Sequence, residues 1–439
     1  MQLTVIGTGY LGAVHAACMA DLGHDVLGVD VDAAKIEKLA AGQTPFFEPG
    51  LPAVLARALA SGNLRFSTSL AEAGAHGDVH FICVSTPQQA GSQAADMQFV
   101  DAVVDGLAPH LRPGALVVGK STVPVGTAAR IVSRIAELTR PGSGVEVAWN
   151  PEFLREGFAV HDTMTPDRLV VGVQSDRAER QLRAVYAAAL EANTPWVKTD
   201  LTTAELVKVS ANAFLATKIS FINAMAEICE EIGGDVHTLA DALGHDARIG
   251  RRFLSAGLGF GGGCLPKDIR AFSARAKELG LGQSVAFLDA VDDINLRCRD
   301  RVTSAARDLL GGTFTDRRVA VLGAAFKPNS DDVRDSPALH VARALIEAGA
   351  DVRIHDPEAT ENARSILSAA DYTTDVLKAV EGSDVVLHLT EWQDYRDLDP
   401  VALAGLARTP RLLDARNALN VHRWRSAGWT VHTLGRPLV

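Results

Sequence analysis

LTVIGTGYLGAVHAACMADLG, residues 3–23, decides the fold. The apolar run Leu3 to Ile6 leads into a stretch with glycines at Gly7, Gly9 and Gly12, and an alanine-rich, proline-free segment follows. Strand, glycine turn and helix in that order open a βαβ unit. The first glycine makes the tight turn, the second lets backbone approach a pyrophosphate, and the third lets helix pack closely on sheet. Free N–H groups at the helix start then favour the anion. Asp30 closes the next apolar run, DVLGVD, at the distance where a carboxylate accepts hydrogen bonds from the adenosine ribose hydroxyls of NAD and repels the extra phosphate of NADP. Lys35 follows shortly after: it either reaches a cofactor phosphate, softening that preference, or is an ordinary solvated helix lysine.

Outward from this unit the same rhythm continues. DVHFICVS, ALVVGKS, VEVAWN and RLVVGV alternate with amphipathic segments, which predicts a parallel sheet covered by helices on both faces. From Thr202 the chain runs to Gly233 without glycine or proline and with apolar positions at helical spacing, the pattern of one long helix. A second alternating series starts near Arg317 with RRVAVLGAAF, ADVRIHDP, SDVVLHLTEW and RLLDARN. The expected architecture is two doubly wound, parallel-sheet, Rossmann-like domains joined by a long central helix, divided as 1–200, 201–305 and 306–439. VAVLGAAFKP lacks GxGxxG, so the second sheet is not expected to hold a dinucleotide.

At 439 residues, 47% hydrophobic and 22% charged, the chain reads as a soluble protein of more than one domain. Its formal charge of −10 opposes non-specific attraction to nucleic acid, although a local basic pocket can still hold a phosphorylated small molecule. No apolar run approaches membrane-spanning length, and MQLTVIGTG enters a strand without a basic leader, so a cytoplasmic location is expected. Cys18, Cys83, Cys229, Cys264 and Cys298 are odd in number and scattered, with neither CxxC nor zinc-site spacing. No metal is expected.

Candidate chemistry clusters in GFGGGCLPKD, residues 259–268. Pro266 suits a helix start, so Cys264 faces a helix N-terminus with Lys267 nearby, and both favour thiolate; Asp268 acts against it and is a candidate proton carrier. Taken alone, a cysteine before a helix is more often packing than chemistry. Other residues accompany it. Glu152 and Glu156 in NPEFLREG share one face if that segment is helical, and Lys208 and Asn212 have the same spacing in the long helix. Ser121 and Thr122 in KSTVPVGT close a strand of the first sheet, where doubly wound sheets bind ligands.

GTGYLG, FFEPGL, STVPVGT, NPEFLREG, ELVKVSANAFLATKISFINAMAEIC, RIGRRFLSAGLGFGGGCLPKD, GAAFKPNSDDVRDSP and DARN, in this order over the whole chain, resemble the UDP-glucose/GDP-mannose dehydrogenase family. The resemblance implies an NAD domain, a central dimerisation region and a nucleotide-sugar domain. It also implies that the primary alcohol at sugar C6 of UDP-glucose is oxidised to a carboxylate, reducing two NAD. In that chemistry Cys264 captures the aldehyde as a thiohemiacetal, which is oxidised to a thioester and hydrolysed. Lys208 matches the residue that stabilises oxyanion charge, and Asn212 the one that holds sugar hydroxyls. Asp268 and Thr122 match the pair that positions a water, and Glu152 the carboxylate that assists hydrolysis.

Further correspondences concern binding. Tyr10, Leu11, Thr86, Lys35, Thr122, Lys267 and Arg334 fall at cofactor positions, with Glu156 beside the nicotinamide ribose. Glu152, Phe153, Leu154, Arg155, Lys208, Asn212, Phe253, Gly257, Gly261, Lys327 and Arg416 fall at substrate positions, and Arg248 at one that reaches the sugar of a neighbouring subunit, which makes a homodimer part of the site. Another nucleotide sugar such as GDP-mannose is the alternative substrate, but RIGRRFLSAGLGFGGGC looks more like the UDP-glucose branch. The family usually has serine before the cysteine and its N-acetyl-sugar branches histidine; this chain has Gly263.

Overall fold

The computed structural model describes residues 1–436. They form two compact units, Met1–Ala211 with Ala274–Leu279, and Asn212–Ser273 with the residues from Gly280 onward. In the first unit β1 (Gln2–Ile6), β2 (Asp25–Val29), β3 (Leu64–Ser67), β4 (Val79–Ile82), β5 (Leu116–Gly119), β6 (Glu146–Trp149), β7 (Leu169–Gly172) and β8 (Trp196–Thr199) make one sheet in the order β3-β2-β1-β4-β5-β6-β7-β8. The strand order reverses between β1 and β4, which opens a crevice at the carboxyl ends of the strands. β4 and β5 are buried along their whole length, which is why they read as unbroken apolar runs rather than alternating ones.

Two glycines of the first turn are required by geometry. Gly7 has φ +90°, and a Cβ on Gly12 would lie 1.8 Å from the Gly7 carbonyl oxygen, so helix Tyr10–Asp21 can approach the sheet only with glycine there. A Cβ on Gly9 would meet no protein atom within 4 Å. Its side-chain direction is open space, as the backbone approach of a ligand requires.

The sheet departs from a wholly parallel one at β7, which pairs antiparallel to β6 through Trp149 and Gly172 and parallel to β8. The link from β6 to β7 contains only the short helix Ala159–Met164, which does not run back along the sheet as a crossover helix would. β7 therefore starts from the carboxyl end of β6. This keeps NPEFLREG at that end of the sheet. Helix Leu201–Ile232 is 32 residues long, belonging to the first unit through Ala211 and to the second from Asn212.

In the second unit β9 (Arg318–Leu322), β10 (Asp351–His355), β11 (Asp371–Tyr372), β12 (Val385–His388), β13 (Arg411–Asp414) and β14 (Thr430–Thr433) form a parallel sheet ordered β11-β10-β9-β12-β13-β14. The order repeats that of the first six strands of the other sheet. Asp356, just beyond β10, is the topological counterpart of Asp30 just beyond β2. It is 2% exposed, and its carboxylate accepts from the amides of Ala324 and Ala325 at 2.7 and 3.0 Å, from Trp392 Nε1 at 3.2 Å, and from the amides of Glu358 and Ala359. Protein donors thus engage the carboxylate at the position where the first sheet presents Asp30.

Candidate active site

In the first unit the groups nominated for cofactor binding lie on the glycine turn and the strand ends around it. Asp30 Oδ2 accepts from the Thr8 amide at 2.8 Å, Thr8 Oγ1 at 3.1 Å and Lys35 Nζ at 3.0 Å, and Oδ1 accepts from the Asp32 amide. Burial opposes its charge, but the amides of Asp32 and Thr8 and the Lys35 ammonium outweigh burial and hold the carboxyl below its ordinary range. Lys35 pairs with Asp30 and is its counterion. The open direction at Gly9 and the ionised Asp30 together fit a dinucleotide pyrophosphate and ribose. Leu11 is half-buried in the same turn.

Tyr10 donates to Glu48 of FFEPGL, and Glu48 also accepts from the amides of Gly157 and Ala159, each at 2.7 Å. Glu48, 2% exposed, thus ties the glycine turn to the end of NPEFLREG. That segment is irregular from Pro151 to Arg155, so the shared helical face expected for Glu152 and Glu156 does not exist. Glu152 instead folds its Oε1 back onto the amides of Phe153 and Leu154 at 2.7 and 2.8 Å, a local turn that competes with helix. Its Oε2 meets Lys120 Nζ at 3.1 Å. Burial again opposes ionisation, and Lys120 with the two amides reverses it, lowering the Glu152 pKa.

The remaining first-unit positions are equally specific. Glu156 is buried, and Arg155 is exposed and bidentate to Asp162 at 2.8 and 2.7 Å. Phe153 has the Arg168 guanidinium 4.0 Å and Lys208 Nζ 5.5 Å from its ring centre, while Leu154 packs against the core. Thr86 Oγ1 donates to the Thr122 carbonyl at 2.7 Å, fixing the loop after β5. Glu205, 2% exposed, accepts from the amides of Gly126 and Ala128 at 2.7 and 2.6 Å and pins the other end of that loop.

In the second unit Cys264 immediately precedes helix Leu265–Glu278 and is exposed. The other four cysteines are buried, and burial pushes the thiols of Cys18 and Cys83 up to about 12 and that of Cys298 to about 11. Only Cys264 combines exposure with a helix N-terminus. One turn on, Asp268 donates its amide to the Cys264 carbonyl at 2.9 Å, and its carboxylate accepts from Lys267 Nζ and Asn212 Nδ2, both at 2.6 Å. Lys267, Asn212 and Asp268 thus form one cluster in which Asp268 is 2% exposed.

The glycines of the cysteine loop also have partners within the protein. A Cβ at Gly257 would meet the Ala415 carbonyl oxygen at 2.7 Å, at Gly259 the Asn295 Oδ1 at 2.4 Å, and at Gly261 the Asp335 carbonyl oxygen at 2.3 Å. At Gly263 it would meet the Arg334 guanidinium carbon at 2.4 Å. The place of the missing side chain is filled by Arg334, which is also bidentate to Asp332 and whose carbonyl accepts from Gly262 at 2.9 Å. Arg416 donates to the carbonyls of Leu389 and Gly259 at 2.7 and 2.9 Å, and Lys327 lies 5.3 Å from the Phe326 ring centre. Phe253 has φ +65°, a strained conformation for a bulky residue in the RIGRRF turn. Arg248, with its side chain 89% exposed, pairs with Asp246.

Sequence reasoning passed over Lys120, Asn150, Tyr186, Glu48, Glu205 and Asn295. Lys120 and Asn150 are the first residues of KSTVPVGT and NPEFLREG, a signal that was legible. Asn295 clamps Phe260 through its amide at 2.7 Å and carbonyl at 3.0 Å, a role that depends on distant sequence and carried no local mark. Among the described residues there is no cluster of metal-ligating groups, and no helix is long and apolar enough to cross a membrane.

A dinucleotide turn on one reversed-order sheet, with a second sheet of the same order and an exposed cysteine before a helix, defines an NAD-dependent oxidoreductase of the Rossmann class. Residues 1–190, 202–297 and 320–421 match, respectively, the NAD binding, central and UDP binding domain models of the UDP-glucose/GDP-mannose dehydrogenase family. The chain belongs to this family. It is 43% identical over 440 residues to the UDP-glucose 6-dehydrogenase of Rhizobium meliloti (strain 1021), covering 100% of both chains. To TuaD, a UDP-glucose 6-dehydrogenase of Bacillus subtilis (strain 168), it is 39% identical, covering 100% of this chain and 94% of that one. A UDP-glucose dehydrogenase structure from Pyrobaculum islandicum superposes with a TM-score of 0.88 at 40% identity, covering 98% of each chain.

Proposed function

We propose that the protein oxidises UDP-glucose to UDP-glucuronate, consuming two NAD and one water, through a thioester on Cys264. The observation that carries the chemistry is the exposure of Cys264 alone among five cysteines, directly before a helix of the second unit. A thiol in that position favours the thiolate. Full-length likeness to proteins named UDP-glucose 6-dehydrogenase supports the substrate.

Gly7, Gly9, Gly12 and Asp30 would hold NAD, which would supply the hydride acceptor for both oxidations. Lys208 stabilises negative charge on the C6 oxygen, which a fixed ammonium in a dry site does well. Asn212 and Asp268 act as a unit, since the amide of one is donated to the carboxylate of the other. Asp268 with Thr122 orients the water that carries the first proton away. Cys264 adds to the aldehyde carbon, so the reactive intermediate stays bound, and Glu152 assists release of the acid by water. Phe153 to Arg155, Phe253, the glycine loop, Lys327 and Arg416 hold the nucleotide sugar, and Tyr10, Leu11, Thr86, Glu156, Lys267 and Arg334 serve the cofactor.

The assembly in this reading is a homodimer built on residues 201–305. Phe214, Phe221 and Ile228 follow one another at intervals of seven on the long helix and are 66%, 46% and 49% exposed. Such a stripe supports burial against a second copy, with Arg248 reaching the partner's sugar. Buried free thiols at Cys18, Cys83, Cys229 and Cys298 support a reducing, cytoplasmic setting.

Purified protein supplied with UDP-glucose and NAD is expected to form two NADH per sugar and a uronic acid. Cys264→Ser should end full turnover while both ligands still bind in calorimetry. Absence of NADH formation by a folded dimer would refute the substrate, and near-normal turnover of Cys264→Ser the thioester.

A further inference from the structure

We infer that Lys120, to which no role has been assigned, is a positioning residue for thioester hydrolysis, acting by holding the Glu152 carboxylate in one orientation toward the attacking water. The inference rests on the reading above that Glu152 assists this step.

Lys120 follows β5 directly, and its side chain is only 4% exposed. Burying an ammonium is costly, and an apolar residue of similar volume would serve packing as well or better, so its retention calls for a reason beyond stability. Its Nζ is surrounded by oxygen atoms: Glu152 Oε2 at 3.1 Å, Asn150 Oδ1 at 3.0 Å and the Tyr186 hydroxyl at 3.4 Å. The rings of Phe81 and Tyr186 flank it at 5.9 and 5.8 Å. Lys120 is itself held by fixed groups, because Tyr186 donates to Asn150 Oδ1 at 2.6 Å and Asn150 donates to the Val170 carbonyl at 2.8 Å.

Both oxygens of Glu152 are therefore engaged, Oε1 by two amides and Oε2 by the ammonium, and rotation of the carboxylate is removed before any acyl group forms. The other titratable groups coupled to Lys120 are His15, Cys83 and Tyr186. Burial lowers the His15 pKa and raises those of Cys83 and Tyr186 to about 12, so all three are uncharged at neutral pH. Glu152 alone balances the lysine. In hydrolysis the water oxygen bonds to the acyl carbon while the carbon–sulfur bond breaks, its electron pair leaving on Cys264. One water proton passes to Glu152 and from there to the thiolate or solvent, and the product acid loses the other. Lys120 keeps its proton throughout, and its contribution is geometric and electrostatic.

The test uses the full-length enzyme with UDP-glucose and NAD, following the NADH burst together with intact-protein mass after rapid quenching. Lys120→Met should retain hydride transfer in the first turnover but slow hydrolysis on the order of 10- to 100-fold, so that a covalent adduct on Cys264 accumulates. Lys120→Arg should restore part of the rate. The double variant Lys120→Met with Glu152→Gln should hydrolyse no more slowly than Glu152→Gln alone. Because it removes both charges of the pair, it carries the comparison if Lys120→Met alone fails to fold. A double variant slowed further, or a Lys120→Met enzyme that loses hydride transfer and hydrolysis alike, would overturn the inference in favour of a structural lysine. If Glu152→Gln accumulates no adduct, the role of Glu152 itself is refuted; if it does and Lys120→Met does not, the error lies in Lys120.

Discussion

Gly9 and Gly12 stand three residues apart in one turn, and different physics keeps each a glycine. An added Cβ at Gly12 collides with a backbone oxygen that cannot yield, whereas at Gly9 it enters open space. Gly12→Ala is expected to lower the melting temperature by the equivalent of about 1–3 kcal/mol and to lose NAD binding with it. Gly9→Ala should leave melting unchanged and weaken only NAD binding; calorimetric scans and titrations on both variants separate the two cases. Gly263 poses the opposite problem, since its neighbour is the far end of a flexible side chain. Gly263→Ser, which restores the residue usual in the family, should displace Arg334 at a cost of about 1 kcal/mol, read as a roughly fivefold rise in KM for NAD. The residue types of the proposed reaction stand in recognisable sequence motifs: cysteine, lysine, asparagine and two carboxylates. The contacts that restrain them were not legible there, because Lys120, just after β5, and Tyr186, between helices Asp176–Val185 and Ala187–Glu191, meet only when the helices pack on the sheet.

At the scale of elements, the cysteine loop is a segment without regular secondary structure, buried from Ala256 to Gly262 and made rigid by groups that lie far away in sequence. Asn295 binds both polar groups of Phe260, Asn223 Oδ1 accepts from the Gly257 amide at 2.8 Å, and Arg416 reaches the Gly259 carbonyl. Asn295→Ala leaves the buried Phe260 amide without a partner and its carbonyl with Arg299 Nη2 at 3.3 Å, and should cost about 1–3 kcal/mol. Thermal denaturation should show that loss, and turnover should fall with it because the loop carries Cys264. Helices and strands with long apolar patterns were readable in advance, including the 32-residue helix. The segment after β6 was not. NPEFLREG has acceptable helix formers, but Glu152 satisfies the amides of the next two residues with its own side chain and so stabilises a turn instead.

At the scale of the whole molecule, two further outcomes follow. His80 lies fully buried in the first sheet with its Nδ1 2.7 Å from Thr4 Oγ1, and burial lowers its pKa to about 3. Between an unfolded value near 6.5 and that folded value, the unfolded chain binds a proton that the folded chain refuses. Stability therefore falls as pH falls through this window, by about 1.4 kcal/mol per pH unit for one such histidine. Melting temperatures measured from pH 7.5 down to 5 should decline, and His80→Leu should flatten the decline; an equal slope in the variant would remove His80 from the explanation. The second outcome concerns assembly. Phe221→Asp places a charge in the exposed stripe of the long helix; for the proposed homodimer, in which Arg248 reaches the partner's sugar, sedimentation should shift from dimer to monomer with loss of turnover.

By itself the sequence determined the two doubly wound sheets, the dinucleotide turn and the long helix, because periodicity and glycine spacing are local properties written along the chain. Tertiary structure alone decided that β7 runs antiparallel, that Lys35 neutralises Asp30, that Arg334 fills the side-chain place of Gly263, and that Lys120 faces Glu152. Each of these depends on which distant groups share a small volume. Their charges and hydrogen bonds acquire meaning only when packing removes the water that would otherwise satisfy them.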